Sequence, residues 1–199
     1  MYVRENLKKT IKQLIGMGRP SPVAASRAVR RRKARPTVFD DDGVIPNNQR
    51  LPFIHYRSPV RVIDSKDPAA IFEGLFEANG WKGAWRDGIY DYAHYHSRTH
   101  EVLGIARGQA RVRFGGDNGK IVELHAGDVA ILPAGTGHQR LSASRDLLVV
   151  GAYPTPQNYD ESKGATEEHD RALKTIPKVR VPAKDPVYGA DGPITRLWR

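Results

Sequence analysis

Three of the seven His residues in this 199-residue chain fall within seven positions, His94, His96 and His100, and Glu101 follows at once. Residues two apart on a β-strand face the same side, so His94 and His96 would present both imidazoles to one interior. A turn at Ser97-Arg98-Thr99 is expected to bring the next strand back antiparallel. Alternation then allows either His100 or Glu101, but not both, on the inner face. His138 comes after Pro133-Ala134-Gly135-Thr136-Gly137, a bend that can return it to the same cavity. Imidazoles converging there, with either a further imidazole or a carboxylate beside them, suit a divalent transition metal (Fe, Mn, Ni, Cu or Zn) and leave coordination positions open for water or substrate. The chain has no Cys, so a metal here must be held by nitrogen and oxygen, and no thiolate nucleophile is available.

The neighbours of these residues bear on the substrate. Tyr90 and Tyr92 are in phase with His94, and Arg140 with His138, so on an unbroken strand all three point inward. An inward Arg needs an anion, because an unpaired buried charge is costly. A substrate carboxylate, enolate or phosphate would serve, as would a protein acid such as Asp91 or Asp146. Arg140 and Tyr92 are therefore the candidates for catalytic or substrate-anchoring roles, with Leu103, Ile105, Val112 and Phe114 as an apolar lining. His55, His125 and His169 stand apart and read as ordinary core or surface residues.

Gly88-(x5)-His94-x-His96-(x4)-Glu101-(x6)-Gly108 resembles the first cupin motif at every fixed position, and Gly127-(x5)-Pro133-x-Gly135-(x2)-His138 resembles the second. At roughly 5% per fixed residue, nine matches have a chance on the order of 10⁻¹² for one placement. The departure is Ser142, where the second motif usually ends in Asn. Ile45-Pro46-Asn47-Asn48, the stretches around His94 and His100, and Asp185-Pro186-Val187-Tyr188-Gly189 are similar to the bacterial YjlB-like subgroup. The resemblance implies an all-β fold, the double-stranded β-helix (jelly-roll barrel) of cupins with one or two flanking helices. It implies a metal held by His94, His96, Glu101 and His138, with His100 turned away. The function it points to is a metal-dependent enzyme (oxygenase, decarboxylase or isomerase) acting on a small anionic oxygenated molecule such as a carboxylate. The alternative is a barrel that binds or senses a small molecule without turnover.

The elements that would carry these residues are visible in the pattern. Short runs rich in Val, Ile, Leu and Tyr, punctuated by Gly, fill the chain from Ile89 to Tyr153 and predict an antiparallel sandwich or barrel. Leu51 to Tyr56 reads as the first strand. Residues 67–79 read as a helix with Asp67 at the N-cap, Pro68 at the first position, Gly80 as the stop and Trp81 packing back on Phe76. A second helix is expected from an N-cap at Thr166 to just before Pro177, within a C-terminal helix and tail at 154–199.

Charge divides the chain. Eleven of its 32 Lys and Arg, but a single acid, Glu5, lie in residues 1–36, so that segment carries the whole net charge of +10. The body, residues 37–199, sums to zero, which argues against nucleic acid as a partner. Val3, Leu7, Ile11, Leu14 and Ile15 would form an apolar stripe opposite Arg4, Lys8, Lys9 and Lys12. The segment reads as a flexible basic extension, with contact of residues 1–16 with an anionic membrane surface, or a role for 1–36 as an organelle transit peptide, as alternatives. No run approaches the roughly 20 apolar residues of a membrane span, and no secretory h-region is present. A cytoplasmic homodimer is expected.

Overall fold

The computed structural model describes residues 22–156 and 158–199. Nine strands are present among them: β1 (Arg35–Thr37), β2 (Phe53–Tyr56), β3 (Trp81–Asp87), β4 (Glu101–Arg107), β5 (Gln109–Phe114), β6 (Lys120–His125), β7 (Val129–Leu132), β8 (His138–Ala143) and β9 (Leu148–Pro154). All pair antiparallel, in a six-stranded sheet of order β1-β2-β7-β4-β9-β3 and a three-stranded sheet of order β6-β5-β8. This is the all-β double-stranded β-helix that the motifs imply.

The two sheets enclose one apolar core, with Leu103 and Ile105 of β4, Ala130 and Leu132 of β7, and Phe53 of β2 meeting Val112 and Phe114 of β5. The larger sheet is buried on its other face as well, where Val102 and Ala106 lie among Phe72, Leu75 and Phe76 of a helix. This double burial explains why β2, β4, β7 and β9 read as continuous apolar runs and not as alternation. It also sets the orientation of β4. Glu101 shares the face of Leu103 and Ile105, toward the space between the sheets.

The helix covering the outer face is α2 (Pro68–Ala78). Asp67 Oδ1 accepts from the Ala70 amide at 3.3 Å, and Gly80 follows with φ of +83°, as its sequence predicts. The helix α3 (Thr166–Thr175) begins one residue off the expected cap, so that Thr166 is the first helical residue. Glu168 replaces the cap, its Oε2 accepting from the amides of Lys163, Gly164 and Ala165 at 3.0, 3.2 and 3.3 Å. A 3₁₀ turn (Ile176–Lys178) and a short α4 (Ile194–Leu197) complete the tail. Trp198, 2% exposed, donates its indole N–H to the Pro52 carbonyl at 2.8 Å.

From α1 (Pro22–Arg27) onward the basic segment is docked: Ala25 is fully buried, Val29 bridges Val60, and β1 adds an edge to the large sheet with Arg35 opposite His55. Its charge hid this, because a three-residue strand with Arg and Pro is the sort of edge that sheets use to discourage further pairing. The readings on residues 1–16 lie outside the described residues.

Candidate metal centre

His94 and His96 do not lie on an extended strand. The segment 94–96 is held only by isolated bridges, His94 with His138 and Tyr95 with Ser162. Alternation survives within it. Tyr95 faces away, into a small cluster with Ile45, Ala172 and Ile176, while both imidazoles face the space between the sheets. The expected return of the chain across Ser97-Arg98-Thr99 does not form a hairpin either, since β4 pairs with β7 and β9.

His138 opens β8, opposite Phe114 of β5. The bend before it depends on Gly135, whose φ is +93° and where a Cβ would lie 2.6 Å from the Asn47 carbonyl. That bend gives the Gly135 amide to the His96 carbonyl at 2.8 Å, tying the two motifs together. Asn47 clamps the next step, donating to Gly115 O at 3.1 Å and accepting from the Gly137 amide at 3.2 Å.

The ring nitrogens of His94, His96 and His138 converge, one from each lying within 4.8 Å of the others, and all three residues are buried. Their outer nitrogens are each aimed at a main-chain carbonyl: His94 Nδ1 at Tyr92 O (3.2 Å), His138 Nδ1 at Thr136 O (3.2 Å) and His96 Nδ1 at Asp160 O. A carbonyl accepts only, so Nδ1 carries the proton and each Nε2 presents its lone pair to the centre. Burial and the neighbouring His138 push His94 down to about 3, which keeps it neutral.

Glu101 joins this set. Its Oε2 lies 3.4 Å from His96 Nε2 and 3.3 Å from His138 Nε2. The same oxygen is buried and makes no hydrogen bond of normal geometry. An anionic oxygen without a hydrogen-bond donor, beside converging imidazole lone pairs, is the donor set a divalent cation would complete.

His100 lies on the opposite face of β4. It is fully buried, its Nδ1 accepts from the Ala134 amide at 2.9 Å, and its ring packs on Trp198 with centroids 4.7 Å apart. Burial pushes it down to about 4.

Aromatic side chains rim the centre. Tyr90 and Tyr92 stack at 4.8 Å beside His94, and Tyr153 and Tyr159 flank His96. The inward placement expected of Tyr90 and Tyr92 is corrected, because residues 88–92 form no strand and Tyr90 is half exposed. Tyr92 donates instead to Glu161 Oε1 at 3.0 Å, and Tyr159 to Glu161 Oε2 at 3.1 Å. Tyr153, which sequence reasoning passed over, is buried, and its hydroxyl accepts from Trp85 Nε1 at 2.9 Å.

Arg140 lies opposite the buried Val112, in phase with His138, and of the anions offered for it the protein acid Asp91 is the one beside it. Its side chain is 33% exposed, Nε donates to Ile89 O at 2.8 Å, and Nη2 lies 3.8 Å from Asp91. It sits at the mouth, so water and a protein acid meet its charge. Of the remaining imidazoles, His55 lies 3.1 Å from Asp128 and His169 2.8 Å from Asp41.

Comparison with known proteins shows the family of the chain. The family model described as Cupin matches residues 89–184. The uncharacterized protein YjlB of Bacillus subtilis (strain 168) is 36% identical over 167 residues, covering 84% of this chain and 98% of its own. Similar solved structures include the QdtA 3,4-ketoisomerase of Thermoanaerobacterium thermosaccharolyticum, with 18% identity, a TM-score of 0.37, and 47% of this chain and 74% of that one covered. A Klebsiella pneumoniae protein with a double-stranded β-helix domain matches with 15% identity, a TM-score of 0.34, and coverage of 71% and 94%. The spacing of the two motifs, the facing antiparallel sheets, and a relative matched along nearly its whole length agree: the chain belongs to the cupin family.

Proposed function

We propose that the protein is a metal-dependent enzyme of oxygenase, decarboxylase or isomerase type, acting on a small anionic oxygenated molecule. The observation that carries this is the locked donor set: three imidazoles with Nδ1 committed to carbonyls, and a buried Glu101 oxygen lacking a partner. His94, His96, Glu101 and His138 would hold the cation, whether Fe, Mn, Ni, Cu or Zn. Such a metal supplies Lewis-acid polarisation of a substrate oxygen or electron exchange with it.

The chain's own residues would do the rest. Aromatic rings around His94 and His96 restrict water at the centre. Tyr153, receiving the Trp85 indole N–H, keeps its own proton to offer toward the cavity. The Arg140 guanidinium donates to Ile89 O through Nε, which leaves its outer edge for a substrate carboxylate in place of the weak pairing with Asp91.

Native metal analysis of protein purified without added metal tests the centre, with about one transition metal per chain expected. Malonate tests the anchor: it should perturb the visible spectrum of the Co²⁺-loaded protein, and Arg140→Ala should weaken that effect on the order of 10-fold to 100-fold while metal content stays intact. A protein that binds no divalent metal overturns the proposal. Carboxylates that never reach the metal, or an unchanged affinity in Arg140→Ala, remove the anionic substrate from it.

A further inference from the structure

The segment 158–163 follows β9 and lies outside both sequence motifs, yet Tyr159 and Asp160 touch His96 and Glu161 binds the tyrosines beside the centre. The Tyr159 ring packs on His96 with centroids 4.9 Å apart. The main-chain carbonyl of Asp160 accepts from His96 Nδ1. Glu161 accepts the Tyr92 and Tyr159 hydroxyls, one on each carboxylate oxygen.

The Asp160 side chain explains why its carbonyl stands there. Its Oδ2 accepts from the Ser97 hydroxyl at 2.6 Å and the Ser97 amide at 3.2 Å, and its Oδ1 from the Arg98 amide at 2.9 Å. These three charge-assisted bonds grip the two residues after His96. The paired bridges between Tyr95 and Ser162, at 2.9 and 3.0 Å, fix the strap on the other side. His94 and His138 take their Nδ1 acceptors from residues two positions earlier in their own segments, whereas His96 takes its acceptor from 64 residues away.

We infer that Asp160 is a positioning residue for the metal centre, its carboxylate clasping Ser97 and Arg98 so that its own carbonyl sets the ring orientation and tautomer of His96. This rests on the metal-centre reading above. The clasp belongs to the strap, so His96 is a competent ligand only when 158–163 is seated against 95–98.

Titration of the metal-free full-length protein with Co²⁺ tests this, reading both affinity and the visible ligand-field bands. Asp160→Ala should bind Co²⁺ about 10-fold to 100-fold more weakly, with altered bands. Asp160→Asn, which keeps one acceptor oxygen, should fall between. Asp185→Asn, at a buried carboxylate bound to Tyr56, Val187 and Tyr188, should lower the melting temperature and leave Co²⁺ affinity and bands unchanged. Asp160→Ala binding as tightly as the unmodified protein overturns the inference, as does an equal loss of affinity in Asp185→Asn. If Asp160→Ala does not fold, Ser97→Ala removes only the hydroxyl end of the clasp, and an unchanged affinity there is equally fatal. Failure of the unmodified protein to bind Co²⁺, or of His138→Ala to lose it, would instead refute the metal centre itself.

Discussion

His100 and Glu101 are adjacent, both buried and both polar, yet β4 turns them to opposite faces of the large sheet. Glu101 enters the space shared by His96 and His138; His100 packs under Trp198 with the Ala134 amide on its Nδ1. Glu101→Ala, His94→Ala, His96→Ala and His138→Ala should each lose most bound metal at unchanged fold, measured by titration. His100→Ala should retain metal and lose about 3 kcal/mol of stability to the cavity and the unpaired amide, read by chemical denaturation. Asp128 gives a second test. Burial raises its pKa, but His55 and the amides of Ser58 and His125 outweigh that and lower it below the model-compound value of 3.8. A depressed folded pKa contributes stability above the unfolded value, and this is lost as pH falls through the folded one. The melting-temperature gap between the unmodified protein and Asp128→Asn should therefore be full at pH 7 and close below about pH 4; a gap constant from pH 7 to 3 would exclude the carboxylate as its source.

At the scale of elements, close approach between layers is written in single residues. Gly104 faces α2, and a Cβ there would meet the Phe72 ring at 2.4 Å. Gly104→Ala should cost about 1–3 kcal/mol in denaturant unfolding as the helix is pushed off β4. The docked arm makes a contrary case to its composition: deletion of residues 22–37 removes Ala25 and β1, bares the edge of β2, and should lower the melting temperature and promote aggregation. Retained stability on that deletion would return the arm to the status of a tail. These elements also show where sequence suffices. The helix α2 was legible because its cap, its proline and its terminal glycine act locally, and the two motifs because side chains that converge on one point need fixed spacing. β1 was not, since its pairing partner β2 supplies the reason for it; nor was the lack of a strand at 88–92, where parity has no meaning. Asp160 carried no signal at all, because its role is defined only by contact with Ser97 and Arg98.

For the whole molecule, the charge that seemed a property of an appendage is partly a property of the folded body. Arg27, Arg30, Arg31, Arg32, Lys33 and Arg35 are exposed along one margin of the large sheet, with Arg31 lying over the Tyr188 ring at 5.4 Å and the Arg32 amide donating to the Tyr188 hydroxyl. Start and end of the described chain thus meet on the same face. Trp198 closes that face, and Trp198→Ala should cost about 3–5 kcal/mol by denaturant unfolding. The indole that covers His100 and bonds Pro52 comes from nearly a hundred residues further along the chain, so the strand that turns Glu101 toward the imidazoles has its other face sealed by a remote segment, and disturbance of that segment would reach the candidate site through the sheet without touching any of its residues.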